Sequence, residues 1–170
     1  MKLARLFSSS VACLLILCSI GAEACTCVEM SSIQRMCVSD FIIIGDVVGS
    51  QCVNGQRAPN GLIDCRITGY DFEMSHMLKT RNPSIIDMDD GMDKTSVQLI
   101  TFQPGGACGQ ALRKTRYLLT GNFFGNTRPI LNACTSLVKE IKASTVIDSY
   151  IKRVHWALER CDRNETQSTN

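Results

Sequence analysis

The longest apolar run after the first two dozen residues is DFIIIGDVVGSQC, residues 40–52. Its β-branched residues outlast an average strand, so they predict the first and longest strand of the chain, and Gly45 suggests a bulge or bend of the kind closed barrels use at corners. VNGQRAPNG, with two Asn-Gly signals and a proline, reads as a loop, after which LIDCRITGYDFEM resumes the β pattern. A polar, turn-rich connector, KTRNPSIIDMDDGMDK, leads to three further short β segments, TSVQLITF, RYLLTGNFF and PILNAC, divided by QPGGACGQ and GNTR. Five such strands predict a small barrel or sandwich.

Helical periodicity occupies the two ends. Ser31 with Gln34 three residues on makes a capping box for a short helix in SSIQRMCVS, with Ile33 and Cys37 on one face. From Thr135 the period changes. Val146, Tyr150, Val154, Leu158 and Cys161 repeat at about helical spacing, with Thr145 and Asp148 as a capping box, predicting a helix or pair of helices laid on the barrel. Residues 162–170, DRNETQSTN, read as a polar, disordered tail.

Residues 1–24 have the form of an export leader: Lys2 and Arg5, the apolar stretch VACLLILCSIG, then Ala22 and Ala24 where a signal peptidase reads small residues. The apolar stretch is far shorter than the roughly 20 residues needed to span a bilayer. Removing the leader takes the net charge from +2 to +1 and leaves no basic stripe, so neither nucleic acid nor membrane insertion is expected. Cys13 and Cys18 depart with it. The remaining eight cysteines, Cys25, Cys27, Cys37, Cys52, Cys65, Cys108, Cys134 and Cys161, read as four disulfides, for which composition leaves 105 connectivities open. Cys52 and Cys65 flank the expected loop, and a hairpin ending there would bring them opposite each other.

The pair Cys25-Thr26-Cys27 is too tightly spaced for a redox Cys-x-x-Cys motif and has no second cluster to complete a zinc site. His76 and His155, the only histidines, are far apart in sequence and lack a ligand set. Without a His-Glu-x-x-His motif, no enzymatic role as a zinc protease is expected. Trp156 lies opposite the apolar face of the terminal helix, where it is expected to cover a neighbouring loop or helix or to meet a partner. Asn164 opens a glycosylation sequon.

CTCV at the mature N-terminus, CVSD at Cys37, YDFEMSHMLK at 70–79, ACG at 107–109, YLLTG at 117–121 and CTSLV at 134–138 resemble the N-terminal inhibitory domain of the tissue inhibitors of metalloproteinases. The likeness runs through nearly the whole mature chain. It implies a mainly β fold with helices, a five-stranded OB-like Greek-key barrel (netrin-like module) with C-terminal helices packed on it. It implies a single domain over residues 25–161, secreted, extracellular and monomeric, with secreted or membrane-anchored zinc metalloproteinases as partners. The implied disulfides are Cys25–Cys108, Cys27–Cys134 and Cys37–Cys161; Cys52 and Cys65 have no counterpart in the vertebrate pattern.

The resemblance also implies a mechanism. A zinc protease leaves one metal position to water. The free α-amine and carbonyl oxygen of Cys25 would chelate that zinc, with no cofactor of the inhibitor's own. An α-amine titrates at about 7.7–8.0, low enough to offer a neutral lone pair near physiological pH. Thr26 would enter the specificity pocket, and Cys27, Val28, Gly106 and Ala107 would form the rest of the contact. This chain departs from many members by carrying Glu29-Met30-Ser31-Ser32 after CTCV, a charge at the rim. The competing expectation is a netrin-like interaction module of the matrix or body fluid that inhibits nothing.

Overall fold

The computed structural model describes residues 27–83, 95–102, 108–125, 127–142 and 145–167, the side chains of Thr95 and of residues 162–167 excepted. The expected leader and four of the expected site residues, Cys25, Thr26, Gly106 and Ala107, lie outside the described residues. In chain order the elements are helix α1 (Ser32–Val38), strands β1 (Phe41–Arg57), β2 (Ile63–Thr80), β3 (Thr95–Phe102), β4 (Arg116–Phe124), β5 (Arg128–Leu131) and β6 (Val138–Glu140), and helix α2 (Ile147–Gln167).

Five strands close a ring. β1 runs antiparallel between β2 and β4, β2 pairs with β3, β3 lies parallel to β5, and β5 returns antiparallel to the end of β4. Closure leaves few free edges, the usual liability of a sheet. β6 shares the second edge of β4 with β5, pairing at Tyr117–Leu119 where β5 pairs at Asn122–Phe124.

Strand alternation sends side chains to two separate cores. Phe41, Ile43, Val47, Tyr70, Phe72, Met74, Val97, Leu99, Tyr117, Leu119 and Leu131 fill the barrel. Ile42, Ile44 and Leu118 point outward, where Met36, Ile141, Val154 and Ala157 cover them. This explains the unbroken FIII run: odd positions serve the barrel and even positions seat the helices. Gly45 then admits the close approach of β2, since a Cβ there would sit 2.6 Å from Phe72 Cε1, and the β1–β2 register shifts between Ile44 and Gly45.

Several expectations need correction. β2, at 18 residues, exceeds β1, at 17. The expected loop at 53–61 is mostly strand: β1 continues to Arg57, and only the turn at Ala58–Leu62 separates it from β2. Asn60-Gly61 makes that turn, with Gly61 at φ 81° and Asn60 Oδ1 accepting from Leu62 N at 3.1 Å. Asn54-Gly55 instead forms ladder irregularities, so Cys52 and Cys65 are joined within the hairpin rather than at its mouth, Cα–Cα 5.7 Å. Likewise β2 extends to Thr80, into the expected connector.

At the C-terminal end, β6 intervenes where the helical period was expected to begin. A single helix follows among the described residues, packing against α1 rather than against a second terminal helix. It begins at Ile147, so Thr145 is not its cap, and Val146 is exposed while Ile147 and Ile151 take its place beside Tyr150, Val154 and Leu158. The helix also continues to Gln167, beyond the expected boundary at Cys161, and carries Asn164 within it.

Candidate functional site

Cys27 is half-buried and joined to Cys134, Cα–Cα 5.0 Å, closing a span of 107 residues. Cys108 is also disulfide-bonded, and its Sγ lies 3.8 Å from that of Cys134. Neither sulfur carries a hydrogen, so this is a van der Waals contact between two neighbouring disulfides. The sulfurs of Cys27, Cys108 and Cys134 lie within 4.8 Å of one another, a spacing that could suit a metal. With all three in disulfides, no thiolate is available as ligand. This site is a pole of cross-linked backbone.

Each chain segment at the pole is held by its own set of bonds. Cys108 adopts φ 60°, a left-handed conformation that costs a non-glycine residue roughly 1–2 kcal/mol. Its carbonyl accepts from Ala133 N at 2.8 Å, and the residues after it are fastened to the barrel by hydroxyl acceptors. Gln110 N donates to Thr101 Oγ1 at 2.7 Å, Leu112 N to Tyr70 Oη at 3.1 Å and Arg113 N to Tyr117 Oη at 3.0 Å. Both tyrosine rings belong to the barrel core, so the core itself positions the segment that follows Cys108.

The loop carrying Cys134 is internally bonded. Asn132 N donates to Ser136 Oγ at 2.9 Å, Cys134 N to Asn132 Oδ1 at 2.8 Å and Ser136 N to the Asn132 carbonyl at 2.8 Å. On the other side, α1 anchors the segment leaving Cys27. Its capping box is formed in both directions, Gln34 N to Ser31 Oγ at 3.2 Å and Ser31 N to Gln34 Oε1 at 2.8 Å, as the sequence predicts. At its other end Lys79 Nζ donates to the carbonyls of Met36 and Cys37 at 3.2 and 2.9 Å, a cation at the negative end of the helix dipole. Cys37–Cys161 then ties α1 to α2, Cα–Cα 5.5 Å.

Arg35 bridges the two sides. Its Nη1 donates to the carbonyls of Ala133 at 3.0 Å and Ser136 at 2.7 Å, and its Nε reaches the Met30 carbonyl at 3.4 Å. Between these anchors Val28 stands 83% exposed, an apolar side chain offered to solvent directly after a fixed cysteine. Glu29 is exposed beside it, while Met30 turns back toward the protein.

The remaining sequence candidates lie elsewhere. His76 is on β2 with Nδ1 3.0 Å from Ser75 Oγ, His155 is exposed on α2, and neither joins a group of three potential ligands among the described residues. Trp156 is 51% exposed, and instead of covering a neighbouring element its ring is met by Arg160 of its own helix at 4.3 Å. The Asp46–Arg116 pair at the β1–β4 seam is bidentate, and that hydrogen bonding raises the Arg116 guanidinium above its ordinary value despite some desolvation. No helix among the described residues is long and apolar enough to cross a membrane.

The profile of the family described as Tissue inhibitor of metalloproteinase matches residues 23–158, from just before the paired cysteines into the terminal helix. The chain belongs to that family. No curated protein matches it. Family membership brings metalloproteinase inhibition as a general property. Sequence reasoning missed Thr101, Tyr70, Tyr117 and Arg35 as supports of that pole. The tyrosines sit in YDFEM and YLLTG, where period-2 alternation marks them only as core residues.

Proposed function

We propose that the chain is a secreted inhibitor of zinc metalloproteinases, its leader of residues 1–24 removed and its inhibitory domain spanning residues 25–161. The observation that carries this reading is the pair of neighbouring disulfides at the pole, followed at once by the outward-facing Val28. Two cross-links on alternate residues would hold a short N-terminal wedge in one conformation before it meets a protease. Little conformational entropy is then lost on binding.

In this mechanism Cys25, bonded to Cys108, chelates the protease's zinc through its α-amine and carbonyl oxygen in place of the catalytic water. Thr26 fills the specificity pocket, and Val28, Gly106 and Ala107 widen the contact around Cys27. The zinc belongs to the target, and the inhibitor acts as a monomer without cofactor or catalysis. Exposed Glu29 at the rim favours targets with a cationic border to their cleft.

Titrating the refolded mature protein against a panel of matrix and adamalysin-type metalloproteinases tests the reading. Stoichiometric inhibition of at least one enzyme is expected. No loss of activity at micromolar inhibitor across the panel would replace it with a netrin-like module that binds other matrix components.

A further inference from the structure

We propose that Arg35 is a positioning residue for inhibition, a guanidinium that locks the segment leaving Cys27 and the loop holding Cys134 into one block. The proposal rests on the inhibitory reading above and adds to it a residue that no disulfide argument supplies.

A disulfide fixes two sulfurs, but several rotatable bonds still separate them from the backbones they join. Two chains linked only at Cys27–Cys134 could therefore rock about the bridge. The Cys134 loop satisfies much of its own backbone through Asn132 and Ser136, yet the carbonyls of Ala133 and Ser136 both turn to Arg35. The same guanidinium reaches the Met30 carbonyl, three residues after Cys27. One planar group thus contacts both chains that the disulfide joins, 5 residues away in sequence on one side and 98 and 101 on the other.

The base of the fork is itself held at several points. Arg35 lies in α1, which is capped by Ser31, held at its far end by Lys79 and tied to α2 through Cys37. Ser39 Oγ also donates to the Arg35 carbonyl at 2.5 Å. A lysine at this position keeps the charge, but an ammonium on a flexible stem does not reproduce a rigid fork that spans three carbonyls. Loosening the block would raise the dissociation rate of the inhibitor, because contacts made after encounter depend on the wedge staying in register.

The test compares the mature native-disulfide protein with Arg35→Lys and Arg35→Gln. Association and dissociation rates are measured on a metalloproteinase that the native form inhibits, and hydrogen exchange is followed in the free proteins. Arg35→Gln is expected to dissociate about tenfold faster with an association rate within about threefold of native. Arg35→Lys should recover little of that loss. Amides of residues 27–31 and 132–136 should exchange faster while β1 and β4 keep their protection.

A native dissociation rate in Arg35→Gln would overturn the proposal. Full rescue by Arg35→Lys would do so too, since charge rather than the fork would then matter, as would loss of protection spreading through β1 and β4. Should Arg35→Gln fail to fold, Arg35→Lys carries the same comparison. If the native protein inhibits no protease, the inhibitory reading falls by itself, and unchanged local exchange in the variants is then the result that removes Arg35 from its positioning role.

Discussion

Two regions of the molecule are stapled by disulfides and differ in what surrounds the bridge. At the pole, Cys27–Cys134 lies beside the bridge of Cys108, and the backbone around them is bonded to Thr101, Tyr70, Tyr117, Asn132, Ser136 and Arg35. In the β1–β2 hairpin, Cys52–Cys65 joins two strands whose residues 50–64 are almost all exposed, with Val53, Leu62 and Ile63 facing solvent. Arg66 Nη2 donates to Gln56 Oε1 at 3.0 Å across the two strands, an exposed side-chain bond. The two bridges therefore sit in different surroundings, one amid side chains that satisfy the backbone on either side of it and the other on an exposed strand pair.

Opening the pole should have the largest effect. The chain-entropy model assigns about 5 kcal/mol to a bridge closing 107 residues. That is comparable to the whole stability of many domains. Replacing Cys27 and Cys134 together by serine is expected to lower the melting temperature steeply and abolish inhibition, as followed by thermal unfolding and enzyme titration.

The hairpin bridge closes only 13 residues, which the same model values at about 3 kcal/mol as an upper figure for a strand pair already held by its ladder. Cys52→Ser with Cys65→Ser should leave the barrel folded and inhibition within about threefold of native, while proteases gain access to the turn at Ala58–Leu62. Limited proteolysis and enzyme titration together read this. Loss of inhibition equal to that of the pole variant would erase the distinction between the two regions.

A smaller stability change should do more to inhibition. Tyr70→Phe keeps the ring in the barrel core and removes the acceptor of Leu112 N, at about 1–3 kcal/mol for an amide left unsatisfied. Tyr117→Phe does the same to Arg113 N. Both variants should accelerate exchange in residues 108–115 and weaken inhibition, although the hairpin variant loses as much stability or more. Trp156→Ala stands at the low end: an exposed ring with one arginine against it contributes about 0.5–1 kcal/mol, so melting temperature and inhibition should hardly move.

The contrast also marks how far the sequence could be read. The strands β1 to β5, the capping box at Ser31 and Gln34 and the bend at Gly45 are written in short spacings, whereas the closing of those strands into a ring and the long-range cysteine pairs were expected only from the family resemblance. The hairpin was legible only in part, because Asn54-Gly55 has the chemistry of a turn but lies in a ladder irregularity, and the true turn comes six residues later. β6 has only 3 residues, too few for a period to register. Least legible were the supports of the pole. Tyr70 meets Leu112 across 42 residues and Arg35 meets Ser136 across 101, and such partners leave no local pattern to find.

The central claim is that the folded pole presents the free N-terminus of Cys25 as a zinc ligand, and one amino group decides it. Adding a single alanine before Cys25, or acetylating its α-amine, converts a basic nitrogen into an amide without an available lone pair and places bulk where the zinc-bound water sat. Both forms should fold with the same four disulfides and the same melting temperature. The inhibition constant is then measured for each against a metalloproteinase that the native mature protein inhibits. A rise of at least about a hundredfold, corresponding to the loss of about 2.7 kcal/mol of binding free energy, is the expected result; an inhibition constant equal to that of the native form would contradict chelation by Cys25.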